Sequence, residues 1–392
     1  MKSVLVLGCG FEQLHAIELA RKLGYRTVAM DRQELAFSPA NGPDVFVHLD
    51  PSTLMSVVAI ASKYRVDGIL CAGIELADIC AEACHMLGLP GVKPSAARIC
   101  SDKLKLAECL KAAGLRHPET YHWIKGEFIL PGRWITKPSD NSGARGVGLL
   151  YDVYGWNSTQ DKEWRRASIN CRIGVPIIQR YIEGRQISIE GCVRDGNFHL
   201  FAMADRHYDR AESPMLEDGH TTPADLDSGL HDKILYEFRR AIRAIGIDYG
   251  PVKGDIIIDS EENIWILEVA ARTSGGRFIS GTIPLAYGHE PLELIIKLAV
   301  GESFRWDTTF ENVALASQRY FWADRDGQIT SIQRTTRCDD AAEIQYPELN
   351  SRVSVAESHA DRLGWVICAD ESSERATHRA IEIRDSITIV IS

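Results

Sequence analysis

The sequence predicts an α/β protein of two or three domains that opens on a parallel, doubly wound sheet. Three observations predict it. Short apolar runs alternate with amphipathic stretches through residues 1–95, the pattern of strand–helix–strand units. The first run ends on the glycine turn Gly8-Cys9-Gly10, where such folds turn from strand into helix. A chain of 392 residues with 45% apolar content also exceeds what one compact core takes up.

The elements follow in order. Val4 to Leu7 reads as a strand, Glu12 to Leu23 as a helix and Arg26 to Ala29 as the second strand. Val45 to His48, a helix from Pro51, Gly68 to Cys71 and a helix ending at Leu87 repeat the unit. Asp31 stands near the end of the second strand, where a ribose is held in dinucleotide folds, but Gln13 replaces the third glycine of that fingerprint. A nicotinamide site and a ligand-free turn both fit two glycines.

Pro90, Pro94 and Ser95 mark a linker between Gly91 and Ser101. Ser101 or Asp102 then caps a helix that runs to Ala113 and stops at Gly114. From Trp134 to about Val193 the pattern is strand-rich; a helix spans Leu230 to Ile245, and the last ninety or so residues hold short strands with one helix from Glu374 to Ile383.

Bulk properties narrow the function. A net charge of -10 gives no global field toward nucleic acid or anionic membrane, so neither is expected as a partner. The chain has no apolar run of about eighteen residues, and its first run is too short for a leader; a cytoplasmic protein is expected. Ten cysteines stand singly, and only Cys80 and Cys84, four apart on a helix face beside His85, could offer a soft metal two thiolates. A core-facing helix is the simpler account.

The chemistry gathers downstream. Trp134-Ile135-Thr136-Lys137 leads into Pro138-Ser139-Asp140-Asn141-Ser142-Gly143-Ala144-Arg145-Gly146-Val147-Gly148, a strand, a lysine and a loop of small residues whose N–H groups can close over phosphate oxygens. Lys253 to Asp259 and Ile264 to Ala270 flank Ser260-Glu261-Glu262-Asn263, the form of a hairpin. Pairing Ser260 with Asn263 sets Asp255 opposite Glu268, and Lys253 opposite Ala270. Two carboxylates facing each other between isoleucines call for a cation, and magnesium bridging to phosphate is the natural one. Arg272-Thr273-Ser274-Gly275-Gly276-Arg277 follows, a guanidinium and a small-residue turn suited to an oxyanion.

These motifs, in this order, resemble the ATP-grasp superfamily, and the resemblance runs through almost the whole chain. It implies a Rossmann-like domain over residues 1–95, an ATP-grasp domain of two α+β subdomains gripping ATP over 96–300 with a lid over about 117–182, and a small strand-rich α+β domain over 301–392. It implies that Lys103 and Lys137 hold the ATP phosphates under Ser142, Gly143 and Gly146. Gln179, Arg180, Ile182 and Gln186 match the adenine and ribose contacts, with Gln186 where relatives commonly carry glutamate. Asp255 and Glu268 match the metal carboxylates, for two Mg2+ ions or Mn2+ in their place; Ala270 replaces the asparagine of the Glu-x-Asn found in many relatives.

The pattern is closest to bacterial L-amino-acid ligases. It implies a ligase that phosphorylates a carboxylate to an acyl phosphate and passes the acyl group to an amine, both small molecules, in a chain that forms homodimers in many relatives. Arg272 and Lys253 would serve catalysis, and Arg206, His207, Glu217, His220, Gly275, Gly276 and Arg277 would border the substrates, with Arg277 a carboxylate clamp. A bicarbonate- or formate-using enzyme of the purine-pathway type, or a nucleotide-binding protein without turnover, are the alternatives.

Overall fold

The computed structural model describes the chain except residues 36–40, 127–130, 152–155, 211–214, 305–312, 336 and 339. The N-terminal sheet has four parallel strands in the order Val45–His48, Arg26–Asp31, Ser3–Leu7 and Gly68–Leu70. Val4 and Val6 pack with Ala16 and Ile17 of the first helix, Phe11–Lys22. Leu5 and Leu7 turn to the opposite face and pack with Val57 and Ile60 of the helix Leu54–Tyr64. Both faces are covered, which is why this strand reads as an unbroken apolar run.

Two expectations are corrected here. The predicted linker between Gly91 and Ser101 contains a helix, Pro94–Cys100, with Pro94 in its first turn. Proline there forfeits an N–H that has no helical partner anyway and presets the helical φ, while Ala96, Ala97 and Cys100 are buried in the largest core cluster. The stretch after Trp134 is interrupted by the helix Ser158–Ile169; Asn157 caps it through Thr159 N–H and Gln160 N–H, and Gln160 reaches back to Asn157 N–H, a capping box legible at that spacing. The next helix, Lys103–Ala112, starts as expected on Asp102, whose carboxylate accepts from Leu104 N–H at 3.0 Å.

A four-stranded antiparallel sheet in the order Thr120–His122, Pro176–Arg180, Arg133–Pro138 and Gly148–Tyr151 stands over an eight-stranded one. The larger sheet runs Ile264–Ala270, Gly250–Ile258, Arg185–Arg194, Asn197–His207, Gly219–Thr222, Leu315–Phe321, Gly364–Asp370 and Glu343–Gln345. It therefore extends from the hairpin of Gly250–Ile258 and Ile264–Ala270 into the C-terminal residues without a break. No helix among the described residues is long and apolar enough to cross a membrane.

The helix Ser228–Ile245 lays Ile234, Phe238, Ala241 and Ile245 on the back of this sheet, against Ile187, Ile189, Val252, Ile256 and Val269. Gly254 lies directly over Phe238: a Cβ there would stand 2.2 Å from the ring. Gly254→Ala is expected to destabilise the chain by about 1–3 kcal/mol through overpacking, read as a lowered urea midpoint with an unchanged slope.

Candidate functional site

The hairpin that carries the two carboxylates is closed by Asp259. Its Oδ1 accepts Glu261 N–H and Asn263 N–H, both at 2.9 Å, and its Oδ2 accepts Asn263 Nδ2 at 3.0 Å and Trp265 Nε1 at 2.8 Å. This longer turn pairs Ile258 with Ile264 and Ile256 with Ile266, one residue out of the register predicted from Ser260 and Asn263. A bulge between Ile256 and Asp255 takes up Leu267 as an extra residue, so Asp255 still faces Glu268 and Lys253 still faces Ala270. Without that bulge Leu267 would stand opposite Asp255.

Both carboxylates open into a cavity of about 460 Å³. Asp255 accepts Ser188 Oγ at 2.8 Å and Lys253 Nζ at 2.6 Å, and Arg206 lies 3.2 Å away. Burial by itself would raise the Asp255 carboxyl, but Arg206 and then Lys253 outweigh it and hold the group below the usual carboxylate range. Glu268 makes no side-chain hydrogen bond to a described residue. Among the described residues no cluster of three or more His, Cys, Asp or Glu could hold a metal ion. Two facing carboxylates suit magnesium, which takes one or two protein carboxylates and completes its shell with water and phosphate oxygens; Ala270 adds no donor.

Lys137 ends its strand buried in the same cavity and donates to Gln179 Oε1 at 2.8 Å. Burial, reinforced by the Lys103 charge, lowers its ammonium to about 7, against the pull of Glu268 and Asp255. Lys103, Ser142, Gly143, Gln179, Arg180, Ile182 and Gln186 all line the cavity. Gly146 does not: it packs on the helix below, where a Cβ would meet Asn170 at 2.8 Å. The glycine loop is held from the far side as well, because Gly143 C=O accepts His359 N–H at 2.9 Å.

At the other wall, Arg272 donates to Glu75 Oε2 through Nη2 and Nε, at 2.7 and 3.1 Å. Burial raises Glu75, but Arg272 overrides it and holds the carboxyl at about 2. Gly275 and Gly276 line the cavity, with Gly276 N–H donating to Glu12 Oε1 at 2.8 Å. Ser274 N–H donates to Glu190, a carboxyl that burial pushes up to about 8.

Arg206, Glu217 and His220 are also present in the cavity, but His207 and Arg277 are not. Arg206 pairs with His220 in the register, so the next residue along the strand points to the opposite face, where His207 Nε2 meets Thr221 Oγ1 at 2.9 Å. Arg277 is spent on Glu343, at 3.0 Å through Nε, and on Ser280. Tyr208, in the stretch Asp205 to Tyr208 that resembles the acceptor-pocket border, lines the cavity, as does Arg362, which opens the segment Arg362 to Val366 that also resembles the amino-acid ligases; sequence reasoning missed Glu12, Glu75, Glu190, Tyr320 and His359. They come from separate segments and carry no motif; only Glu12, beside the glycine turn, had a local signal.

The glycine turn itself is satisfied internally. Cys9 N–H donates to Asp31 Oδ2 at 2.7 Å, Gly10 N–H to Gln13 Oε1 at 3.1 Å, and Gln13 Nε2 to Ala72 C=O at 2.6 Å. The Gly10 N–H, which a dinucleotide fold leaves for pyrophosphate, is thus taken by the Gln13 amide. Cys80 and Cys84 are free thiols on a helix that packs into the N-terminal core.

A family model described as an ATP-grasp domain matches residues 100–276. The uncharacterized protein y4rH of Sinorhizobium fredii is 23% identical over 95% of this chain and 78% of its own length. The alanine–anticapsin ligase of Bacillus subtilis is 24% identical over 68% of this chain and 60% of its own length, so this chain spans less than two thirds of that enzyme. Among solved structures, the L-amino acid ligase from Bacillus licheniformis superposes with a TM-score of 0.82 at 19% identity, covering 100% of this chain and 99% of that one. At that identity the likeness is one of fold.

Proposed function

Residues 100–276 of this chain being an ATP-grasp domain, we propose that the protein is an ATP-dependent ligase that joins a carboxylate to an amine, with ADP and phosphate as by-products. The observation that carries this reading is the bulged hairpin, which sets Asp255 against Glu268 in one cavity with Lys103, Lys137 and Arg272. We divide the chain into parts spanning residues 1–95, 96–300 and 301–392, with a lid over about 117–182, the third part joining the large sheet of the second through Leu315–Phe321.

The adenine edge lies along Arg180, Tyr181 and Ile182, with Ile257 and Leu267 beneath the ring and Gln186 near the ribose. Lys103 and Lys137 hold the phosphates, and the backbone of Ser142 and Gly143 closes over them. Two magnesium ions held by Asp255 and Glu268 would draw off charge from the transferring phosphoryl group. Lys253, already beside Asp255, steadies the carboxylate that attacks the γ-phosphorus. Its C–O–P bond forms as the bond to ADP breaks, giving an acyl phosphate. The amine then adds to the acyl carbon, Arg272 stabilises the oxyanion, phosphate leaves and the amine proton passes to solvent. The closed loop keeps water from the acyl phosphate.

The test is ADP release from magnesium ATP with amino acids and other carboxylates, singly and in pairs, bicarbonate and formate included. The expected result is release that needs one carboxylate and one amine, with a product one water lighter than their sum. Release with bicarbonate alone would overturn it.

A further inference from the structure

Beyond the groups assigned to ATP, a line of charges leads away from the metal hairpin. Lys253 and Arg206 meet Asp255, Arg206 Nη2 lies 3.3 Å from Glu217 Oε2, and Arg362 Nη2 donates to the same oxygen at 3.0 Å. Glu217 thus serves two guanidiniums, and along this line Lys253, Arg206 and Arg362 meet two carboxylates, Asp255 and Glu217. Burial works against the Glu217 carboxylate, yet Arg206 and Arg362 with His220 hold it ionised, while burial keeps His220 and His359 from adding charge of their own.

Arg362 follows the short helical turn His359–Asp361, and its guanidinium lies flat on Tyr320, 3.7 Å from the ring centroid. That stacking fixes the plane of its donors. Its Nη1 comes within 2.6 Å of where a Cβ on Gly276 would stand, so the absence of a side chain at Gly276 is what lets this arginine reach the cavity. Neither its Nη1 nor its Nε hydrogen-bonds to a described residue, and Nε is buried. An arginine placed this way is built to receive an anion.

Resting on the ligase reading above, we infer that Arg362 is a specificity-determining residue that clamps a second substrate carboxylate, distinct from the one that is phosphorylated. The activated carboxylate must reach the phosphate end, beside Asp255, and Arg362 stands three ion pairs away from Asp255, through Arg206 and Glu217. Its carboxylate belongs to the acceptor amine or to the side chain of a dicarboxylic donor. Arg277, which the sequence offered for this role, is tied to Glu343.

The test is calorimetric titration of the MgADP-loaded protein with L-amino acids and their C-terminal carboxamides, and with aspartate and glutamate against asparagine and glutamine. At least one acid is expected to bind about 30-fold more tightly than its uncharged counterpart; the carboxamide arm names the acceptor, the dicarboxylate arm the donor. Arg362→Met should shrink that preference to within about threefold with MgADP affinity unchanged, Arg362→Lys should keep part of it, and Gly276→Ala should lose it by displacing Nη1. Equal binding of acid and amide by the wild type, no binding of any acid, or a preference that survives Arg362→Met overturns the clamp. Failure of the ligase reading shows separately, as ADP release indifferent to every carboxylate and amine pair.

Discussion

Glu268→Ala is expected to lower ADP release by about 10³-fold or more while the protein stays folded and still binds adenine nucleotide. Glu268 lies opposite Asp255 in the cavity and its side chain makes no hydrogen bond to a described residue, while Ile266 and Val269 beside it are anchored in the core. Removing it breaks no side-chain hydrogen bond and relieves a like-charge pair, at the cost of its attraction for Lys137 and Arg272. Asp255→Ala is a poorer test, because it strands Lys253, Arg206 and Ser188 around an empty position and would cost roughly 3–5 kcal/mol of stability as well. Single-turnover assays of Glu268→Ala, with circular dichroism and ADP titration as controls, decide the matter. Turnover within about tenfold of wild type would remove the metal assignment from this residue.

Nucleotide binding is expected to take up a proton above neutral pH, and Lys137 is the reason. In the free protein its ammonium titrates at about 7, so the group is charged below that pH and neutral above it. Phosphate oxygens raise its pKa on binding. Between pH 8 and 9 the nucleotide phosphates are already fully ionised, so the complex must then gain close to one proton, and the affinity should weaken by up to about tenfold per pH unit. Calorimetry in buffers of differing ionisation enthalpy measures the uptake directly. Lys137→Met should bind more weakly and lose both the uptake and the slope, whereas wild-type binding without proton uptake would mean that the ammonium is already charged in the free protein.

Much of this was legible because it is local. The strand from Val4 to Leu7, the capped helix after Asp102 and the small-residue loop after Lys137 each depend on residues a few positions apart, and sequence periodicity reports such spacing. The facing of Asp255 and Glu268 was legible too, though by way of a turn one residue longer than expected and a bulge that made up the difference. The helix Pro94–Cys100 was misread because a proline at a helix start and a proline in a linker look alike until burial distinguishes them.

By itself, then, the sequence determined most of the elements, the lysine ahead of the small-residue loop and the facing of Asp255 and Glu268, since neighbours in the chain create these by alternation and turn chemistry. Only the tertiary structure decided which arginine lines the cavity. Arg277, inside the motif, is drawn off to Glu343, and Arg362, outside it, enters past Gly276 to meet Glu217. The same holds for Glu75 on Arg272 and Glu190 beneath Ser274. Each of these contacts joins segments tens to hundreds of residues apart, and the packing of the sheets, which no local pattern encodes, sets which of them meet.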